Sequence, residues 1–304
     1  MAAQRTLRRT VTCAGIGLHS GLKVTLTLRP APADHGIKFQ RTDLAGDAIP
    51  ATLAFLSDRH QLQTGLVSGQ ASVDTIEHLL AAFHSLGIDN AIVELNHPEV
   101  PIMDGSSAPW VYLIQDAGIR ELTAPRKTIQ ILQPIQVQRG DKRIAIYPAD
   151  RFKISYTISF DHPLLRHQQK TMDMDEQAFI DEIAPARTFG FLKEVEMLRQ
   201  RGLALGGSLE NAIVLGETGV LNPLRFDDEF VRHKILDVVG DLALLGHPLL
   251  GHLVVHRGGH ALHTAFAAEV LRQRDHWQFV EGPAISDARA SRAGARVPAT
   301  PVLQ

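Results

Sequence analysis

The chain has 304 residues, 44% apolar and 21% charged, which suits a globular protein of two medium domains better than one large one. A formal net charge of -2, no apolar run near membrane-spanning length and an N-terminus (MAAQRTLRRTVTCAGIG) without an apolar core argue against a nucleic-acid binder, a membrane span and a signal peptide. One cysteine, Cys13, excludes an internal disulfide framework and a cysteine-rich zinc site, so a metal site must draw on the 15 histidines and the carboxylates.

Residues 5–29 read as strands around a turn, with Val24, Leu26 and Leu28 alternating against Thr25 and Thr27. GIKFQRTD is a short strand, and AIPATLAFLSDRHQLQTGLV a mixture of strand and loop. The first helix is expected from Ala71 to Leu86, with Ser72, Asp74 or Thr75 as its cap, an apolar stripe of Ile76, Leu79, Leu80, Phe83 and Leu86, and Gly87 as its end. NAIVEL is a buried strand, PIMDGSSAPW a loop in which Asp104 is a turn residue, and VYLIQDAGI a second helix. Residues 119–128 are polar, contain Pro125, and read as a connection between domains. Domain boundaries of 1–124 and 125–280 follow, with an Ala/Arg/Pro-rich tail over 281–304 expected to be loosely ordered.

The second half restarts with the strands IQILQPIQVQ, KRIAIYPA and FKISYTISF. A helix, turn and helix follow over MDEQAFIDEIAPARTFGFLKEVEMLRQRG, then the strand AIVLG. Phe226–Gly246 is a long helix, led by Asp227 and Asp228 at its N-terminal end and stopped by Gly246 and Pro248. HLVVHRGGHALHTAFAAEVLRQ supplies a strand, a glycine turn and a last helix. The two halves echo each other: each runs helix, Leu-Gly, buried strand, with His78 nine residues before Gly87 and Asp237 nine before Gly246. The fold class expected is α+β, two similar units each a sheet layered with helices, with the active site between them.

His233 and Asp237, four apart, share a helix face, and Asp241 lies four further on. Alone, an H-x-x-x-D pair is more often a surface ion pair than a metal site. With His78 from the echoed helix and the apolar setting of both, a three-ligand set for a catalytic zinc with one open position stands level with the reading of His233–Asp237 as a surface ion pair and Glu77-His78 as a solvated edge. Glu77 leaves its helix about 100° away from His78, which suits a general base beside a water. His260, after Gly258-Gly259, is either a solvated loop histidine or a general acid or oxyanion stabiliser, with Asp241 placed to fix its tautomer. His256 and His263 are neighbouring alternatives without a glycine turn immediately ahead. Thr188 is either a helix cap or an oxyanion donor, and Lys234 either a solvated lysine or a holder of phosphate or carbonyl oxygen. Phe189, Phe191, Leu192 and Val195 form core or a channel for an alkyl chain, and His19 in GLHSG sits in a turn that can reach a site.

These motifs resemble those of the UDP-3-O-acyl-N-acetylglucosamine deacetylase family, zinc enzymes of bacterial lipid A biosynthesis. The resemblance covers the chain up to about residue 280 and rests on GIGLHSG, TIEHLLAAF, GIDNAIVEL, PIMDGSSAP, ARTFGF, RGLALGGSLENAIV, FDDEFVRHKILDVVGDLALLGH and GGHALH. It implies a two-domain α+β fold, with His78, His233 and Asp237 on zinc, Glu77 as base and His260 as acid. It also implies Thr188 near the oxyanion, Lys234 and Asp241 as supports, and an acyl passage lined at Phe191, Val195, Gly207 and Ala212. Phe189 and His19 join the expected substrate contacts. Gln61-Leu62-Gln63-Thr64 departs from the family, whose members carry smaller or less polar residues beside the active site. The activity implied is zinc-dependent hydrolysis of the N-acetyl group of a UDP-3-O-acyl-N-acetylglucosamine, by a cytoplasmic monomer without nucleic-acid or integral membrane partners. A metal-dependent amidohydrolase acting on another acylated amino sugar, and a non-catalytic or dehydratase-like relative, are the competing readings.

Overall fold

The computed structural model describes residues 2–58 and 62–281. Position 61 of the departing segment and the tail from 282 onward lie outside the described residues. The first half supplies β1 (Ala3–Leu7), β2 (Val11–Ile16), β3 (Lys23–Pro30), β4 (Ile37–Arg41), β5 (Ile49–Pro50), β6 (Gly65–Ser68), β7 (Ala71–Asp74), β8 (Ala91–Leu95) and β9 (Ile119–Pro125). Its helices are α1 (Glu77–Ser85) and α2 (Ala108–Ala117). Five strands form one sheet in the order β2-β3-β8-β4-β5. Val24, Leu26 and Leu28 of β3 are buried, as the alternation requires.

The second half supplies β10 (Lys127–Ile131), β11 (Ile135–Arg139), β12 (Lys142–Tyr147), β13 (Phe152–Ile158), β14 (Gln168–Asp173), β15 (Phe189–Phe191), β16 (Ile213–Leu215), β17 (Leu249–His256) and β18 (Trp277–Glu281). Its helices are the single-turn α3 (Glu176–Ala178), α4 (Leu192–Gln200), α5 (Glu229–Leu242) and α6 (His260–Arg272). Seven strands form a sheet running β11-β12-β17-β10-β18, with β13 on β17 and β14 on β13. The five-stranded sheet therefore uses only residues 11–95 and the seven-stranded one only residues 127–281.

Three expectations need correction. The first helix begins at Glu77, not Ala71: residues 71–74 pair with β6 in a hairpin, and Thr75 turns the chain at φ 58°. Asp74 N donates to Pro98 O instead of its side chain capping the helix, whose N-cap position is Ile76. Residues 119–125 are a strand paired antiparallel with β1, not a connection. Their polarity misled because Arg120, Glu121 and Thr123 face solvent on a two-stranded ribbon, where no apolar alternation is demanded. Asp228 does stand at the α5 N-cap, but its carboxylate accepts from Arg232 Nε and makes no cap bond.

The echo between the halves is visible in space. After α1, Gly87 takes φ 69° and leads to β8; after α5 and a short 3-10 turn, Gly246 takes φ 74° and leads to β17. Both strands lie inside their sheets. α5 is buried nearly all round, with Phe230, Val231, Ile235, Leu236 and Val238 each at 0% exposure, so it is a central helix with no solvent face along its middle. It packs on α1 across the interface, and their backbones meet at one glycine. A Cβ on Gly240 would stand 2.0 Å from Glu77 O, so only glycine lets α5 approach the start of α1 this closely. That approach builds the site.

Candidate active site

α1 begins with Glu77 and His78, both buried despite their polarity. Ser107 Oγ donates to His78 O (2.7 Å), tying the MDGSS loop to this first turn. From α5 come His233, Lys234, Asp237 and Asp241, and from the first turn of α6 comes His260. The sequence-predicted residues Glu77, His78, His233, Lys234, Asp237, Asp241 and His260 thus converge from three helices.

His78, His233 and Asp237 each offer a ligand atom within 4.8 Å of the others. Asp237 Oδ1 lies 3.2 Å from His233 Nε2 and 3.8 Å from His78 Nε2. Neither approach is a hydrogen bond, and Asp237 Oδ1 is buried without one. His233 Nδ1 donates to Ala186 O (3.1 Å), which turns Nε2 toward Asp237. Burial, with His233 adding to it, pushes the His78 imidazole down to about 3. Burial works against ionising Asp237, but Lys234 and His233 outweigh it and hold its carboxyl well below the usual range. Two imidazoles and a carboxylate within reach of one another, with Asp237 Oδ1 and His78 Nδ1 buried and without a hydrogen bond, fit a cation. Lys234 Nζ meets the other oxygen, Asp237 Oδ2, at 2.5 Å. Here the ammonium is engaged with the carboxylate, not open to solvent as a free phosphate holder would be.

Flanking that set are two groups of opposite character. Burial pushes the Glu77 carboxyl up to about 8, while its Oε2 accepts from Thr64 N (3.1 Å). Burial opposes charge on His260, yet Asp241, Asp237 and Glu77 overcome it and raise the imidazole to about 9. His260 Nδ1 donates to Asp241 Oδ2 (2.9 Å), and its Nε2 lies 3.9 Å from Asp237 Oδ2. Near the centre therefore stand a hard-to-ionise carboxyl and a stable imidazolium, the division that acid–base chemistry uses.

Thr188 caps no helix; it precedes β15, with its N donating to Gly105 O and its O accepting from Ile213 N. It lies between Ala186, which orients His233, and Phe189, whose ring stands edge-on to His233 at 6.2 Å. Phe191 packs with Phe160 and His162, and α4, which carries Val195, buries no residue. The loop after α4 turns back onto the N-terminal half, Gly206 N donating to Leu18 O and Leu205 N to His19 O; Gly207 and Ala212 belong to it. His19 is buried beside a cavity of about 470 Å³ also lined by Leu62, Gln63, Glu99 and Leu203. Its backbone N and that of Ser20 donate to Glu99. His256 is exposed and outside the cluster. Asp104 accepts from Ser106 and Arg225, the turn role expected of it.

Sequence reasoning undervalued Thr64 and His263. Thr64 Oγ1 donates to Asp241 Oδ1 (2.5 Å), and His263 Nδ1 reaches Asp241 Oδ2 (2.8 Å). Thr64 was legible only as part of the departing segment; in that segment Gln63 is also buried, accepting from Thr75.

Fold and site together define a class: an α+β protein with a buried two-histidine, one-carboxylate set able to hold a metal ion, with a buried carboxyl raised to about 8 and a buried imidazole raised to about 9 near it. Residues 4–272 match the UDP-3-O-acyl N-acetylglycosamine deacetylase family. A UDP-3-O-acyl-N-acetylglucosamine deacetylase of Pseudomonas entomophila is 51% identical over 285 residues, covering 92% of this chain and 94% of that one. The enzyme of the same name from Methylococcus capsulatus is 49% identical over 307 residues (97% and 100%), and that of Myxococcus xanthus 51% over 280 (91% and 89%). The chain belongs to the UDP-3-O-acyl-N-acetylglucosamine deacetylase family. No helix among the described residues is long and apolar enough to cross a membrane.

Proposed function

We propose that this protein hydrolyses the acetamide of a UDP-3-O-acyl-N-acetylglucosamine, releasing acetate and a free amine, as a zinc-dependent step of lipid A biosynthesis in the cytoplasm. The observation that carries it is the α1–α5 crossing, where His78 meets His233 and Asp237, with Glu77 beside His78 on α1 and His260 Nε2 3.9 Å from Asp237 Oδ2. His78, His233 and Asp237 would hold the zinc. When bound, it supplies Lewis acidity toward water and a carbonyl oxygen, and a local charge that favours ionised Glu77. Glu77, anchored by Thr64 N, takes the proton of the attacking water. His260 delivers its Nε2 proton to the departing nitrogen while Asp241 holds Nδ1. Thr188 donates to the developing oxyanion, and Lys234 turns to the substrate as it enters. Phe189, Phe191, Val195, Gly207 and Ala212 line the path of the acyl chain, and His19 closes the sugar side. The chain acts as a monomer of two domains, 1–124 and 125–280, each built on one of the two larger sheets.

The test is acetate release from chemically defined UDP-N-acetylglucosamine substrates with and without the 3-O-acyl chain, alongside metal analysis. Zinc at one per chain and turnover only with the acyl chain are expected. Turnover equal on both substrates would favour a broader amidohydrolase, and none on either would overturn the reading. Glu77→Gln should keep zinc and lose about 10²–10⁴-fold in kcat.

A further inference from the structure

Asp241 is fully buried and accepts three hydrogen bonds, one from the residue just before β6 and two from α6. Thr64 Oγ1 donates to Oδ1 at 2.5 Å, while His260 Nδ1 (2.9 Å) and His263 Nδ1 (2.8 Å) share Oδ2. An ionised carboxylate has only lone pairs to offer, so both ring nitrogens carry protons. Beyond His263 the chain continues: its Nε2 lies 3.0 Å from Tyr156 Oη, and both residues are at 0% exposure. Burial holds the His263 imidazole below its ordinary range and raises the Tyr156 phenol well above its own, so the ring is neutral and the phenol protonated. With its single proton on Nδ1, His263 has a lone pair at Nε2, and Tyr156 O–H donates to it.

Room for that bond is provided by Gly258. A Cβ there would stand 2.4 Å from Tyr156 Oη and 2.6 Å from His263 Nε2. β13 thus reaches Asp241 through two side chains that the mechanism above does not use. His260 and His263, three apart on α6, present both rings to the same carboxylate.

We propose that His263 and Tyr156 are positioning residues: they pin the Asp241 carboxylate in the orientation in which it meets His260 Nδ1, and so aim His260 Nε2 at the His78–His233–Asp237 centre. The proposal rests on the deacetylase reading of that centre. Without His263, Oδ2 keeps one donor beside a void, and the carboxylate, still held at Oδ1 by Thr64, can tilt toward that void and carry the His260 ring with it. A displacement of about 1 Å at a proton donor can cost up to about 10²-fold in turnover. Substrate contacts are untouched, so KM should stay.

The experiment uses the full-length, metal-loaded protein with His263→Ala, His263→Asn and Tyr156→Phe. It measures kcat and KM for acetate release, metal content, melting temperature and the imidazole N–H resonances by ¹H–¹⁵N NMR. His263→Ala should lower kcat about tenfold at unchanged KM and metal content. His263→Asn should recover most of it, because the amide Nδ2 takes the place of Nδ1 and donates the same bond. Tyr156→Phe should give a smaller fall, with the His263 Nδ1–H resonance shifted but present. Equal losses in the Ala and Asn variants, a KM rising in step, lost metal, or a proton on His263 Nε2 each overturn the proposal. Should the Ala variant fail to fold, the Asn variant decides: kcat near wild type supports the role, and a loss of tenfold or more removes it. A wild type that releases no acetate overturns the functional reading, and the NMR measurement, which needs no turnover, still decides the direction of the bonds.

Discussion

Two clusters in this protein have the same composition and opposite chemistry. His78, His233 and Asp237 form one, Asp241, His260 and His263 the other; both are buried, and in both the candidate ligand atoms lie within 4.8 Å. They share α5, one turn apart. In the first, Asp237 Oδ1 and His78 Nδ1 have no hydrogen bond; in the second, all three residues are joined by N–H donation to one carboxylate. Residue type and proximity do not distinguish a place for a cation from a hydrogen-bonded support. The positions of protons do, and these are set by outside partners: Ala186 O for His233, Tyr156 Oη for His263.

The largest effects should come from breaking the first cluster. His78→Ala or Asp237→Ala should drop zinc to background and abolish acetate release; a fully metallated variant of either kind would refute the assignment. Gly240→Ala attacks the same cluster without touching a polar residue. The added methyl meets Glu77 O, so α1 and α5 must separate, costing about 1–3 kcal/mol in unfolding free energy with loss of metal affinity. Denaturant unfolding and metal titration together check it. In the second cluster Asp241→Asn should retain the metal and lower kcat about 10–100-fold, since the amide no longer matches two N–H donors.

Metal-free stability should carry opposite pH signatures from the two clusters. His78, lowered to about 3 when folded, contributes stability that is present above the ordinary histidine pKa and lost as pH falls from about 6.5 through 3. His260, raised to about 9, contributes stability that is complete below about 6.5 and lost as pH rises through 9. Urea midpoints against pH should show His78→Gln flattening the acid side and His260→Gln the alkaline side; slopes of the same sign would contradict the comparison. The smallest effect expected is that of Thr64→Val, which removes one of three bonds to Asp241 and should cost about 1 kcal/mol by thermal unfolding, while Thr64 N still serves Glu77.

Much of the site was legible because it repeats a local pattern. The i, i+4 spacing of His233 and Asp237, and the recurrence of helix, Leu-Gly and strand around His78, raised the first cluster to an even candidate for a metal site, and the family resemblance singled out its three members. The second cluster was half legible. His260 and Asp241 stood out by a glycine turn and helical spacing, but His263 read as a weaker alternative and Tyr156 as an ordinary strand residue. Their partnership joins residues 107 apart through β13 and α6, which no local period encodes. The missed strands at 71–74 and 119–125 have a related cause: each is stabilised by its partner strand, not by a pattern of its own.

By itself the sequence determined which residues could share a helix face, where glycines end helices, and that any metal site must use histidine and carboxylate. Those are properties of a single turn of chain and follow from backbone geometry. Tertiary structure alone decided which of the two His–Asp clusters is left without hydrogen bonds between its members. That depends on α5 approaching α1 at Gly240 and on hydrogen bonds such as Thr64 to Asp241, 177 residues apart. A buried polar group takes its protonation and its role from whatever is packed against it, and packing partners are set by the fold as a whole.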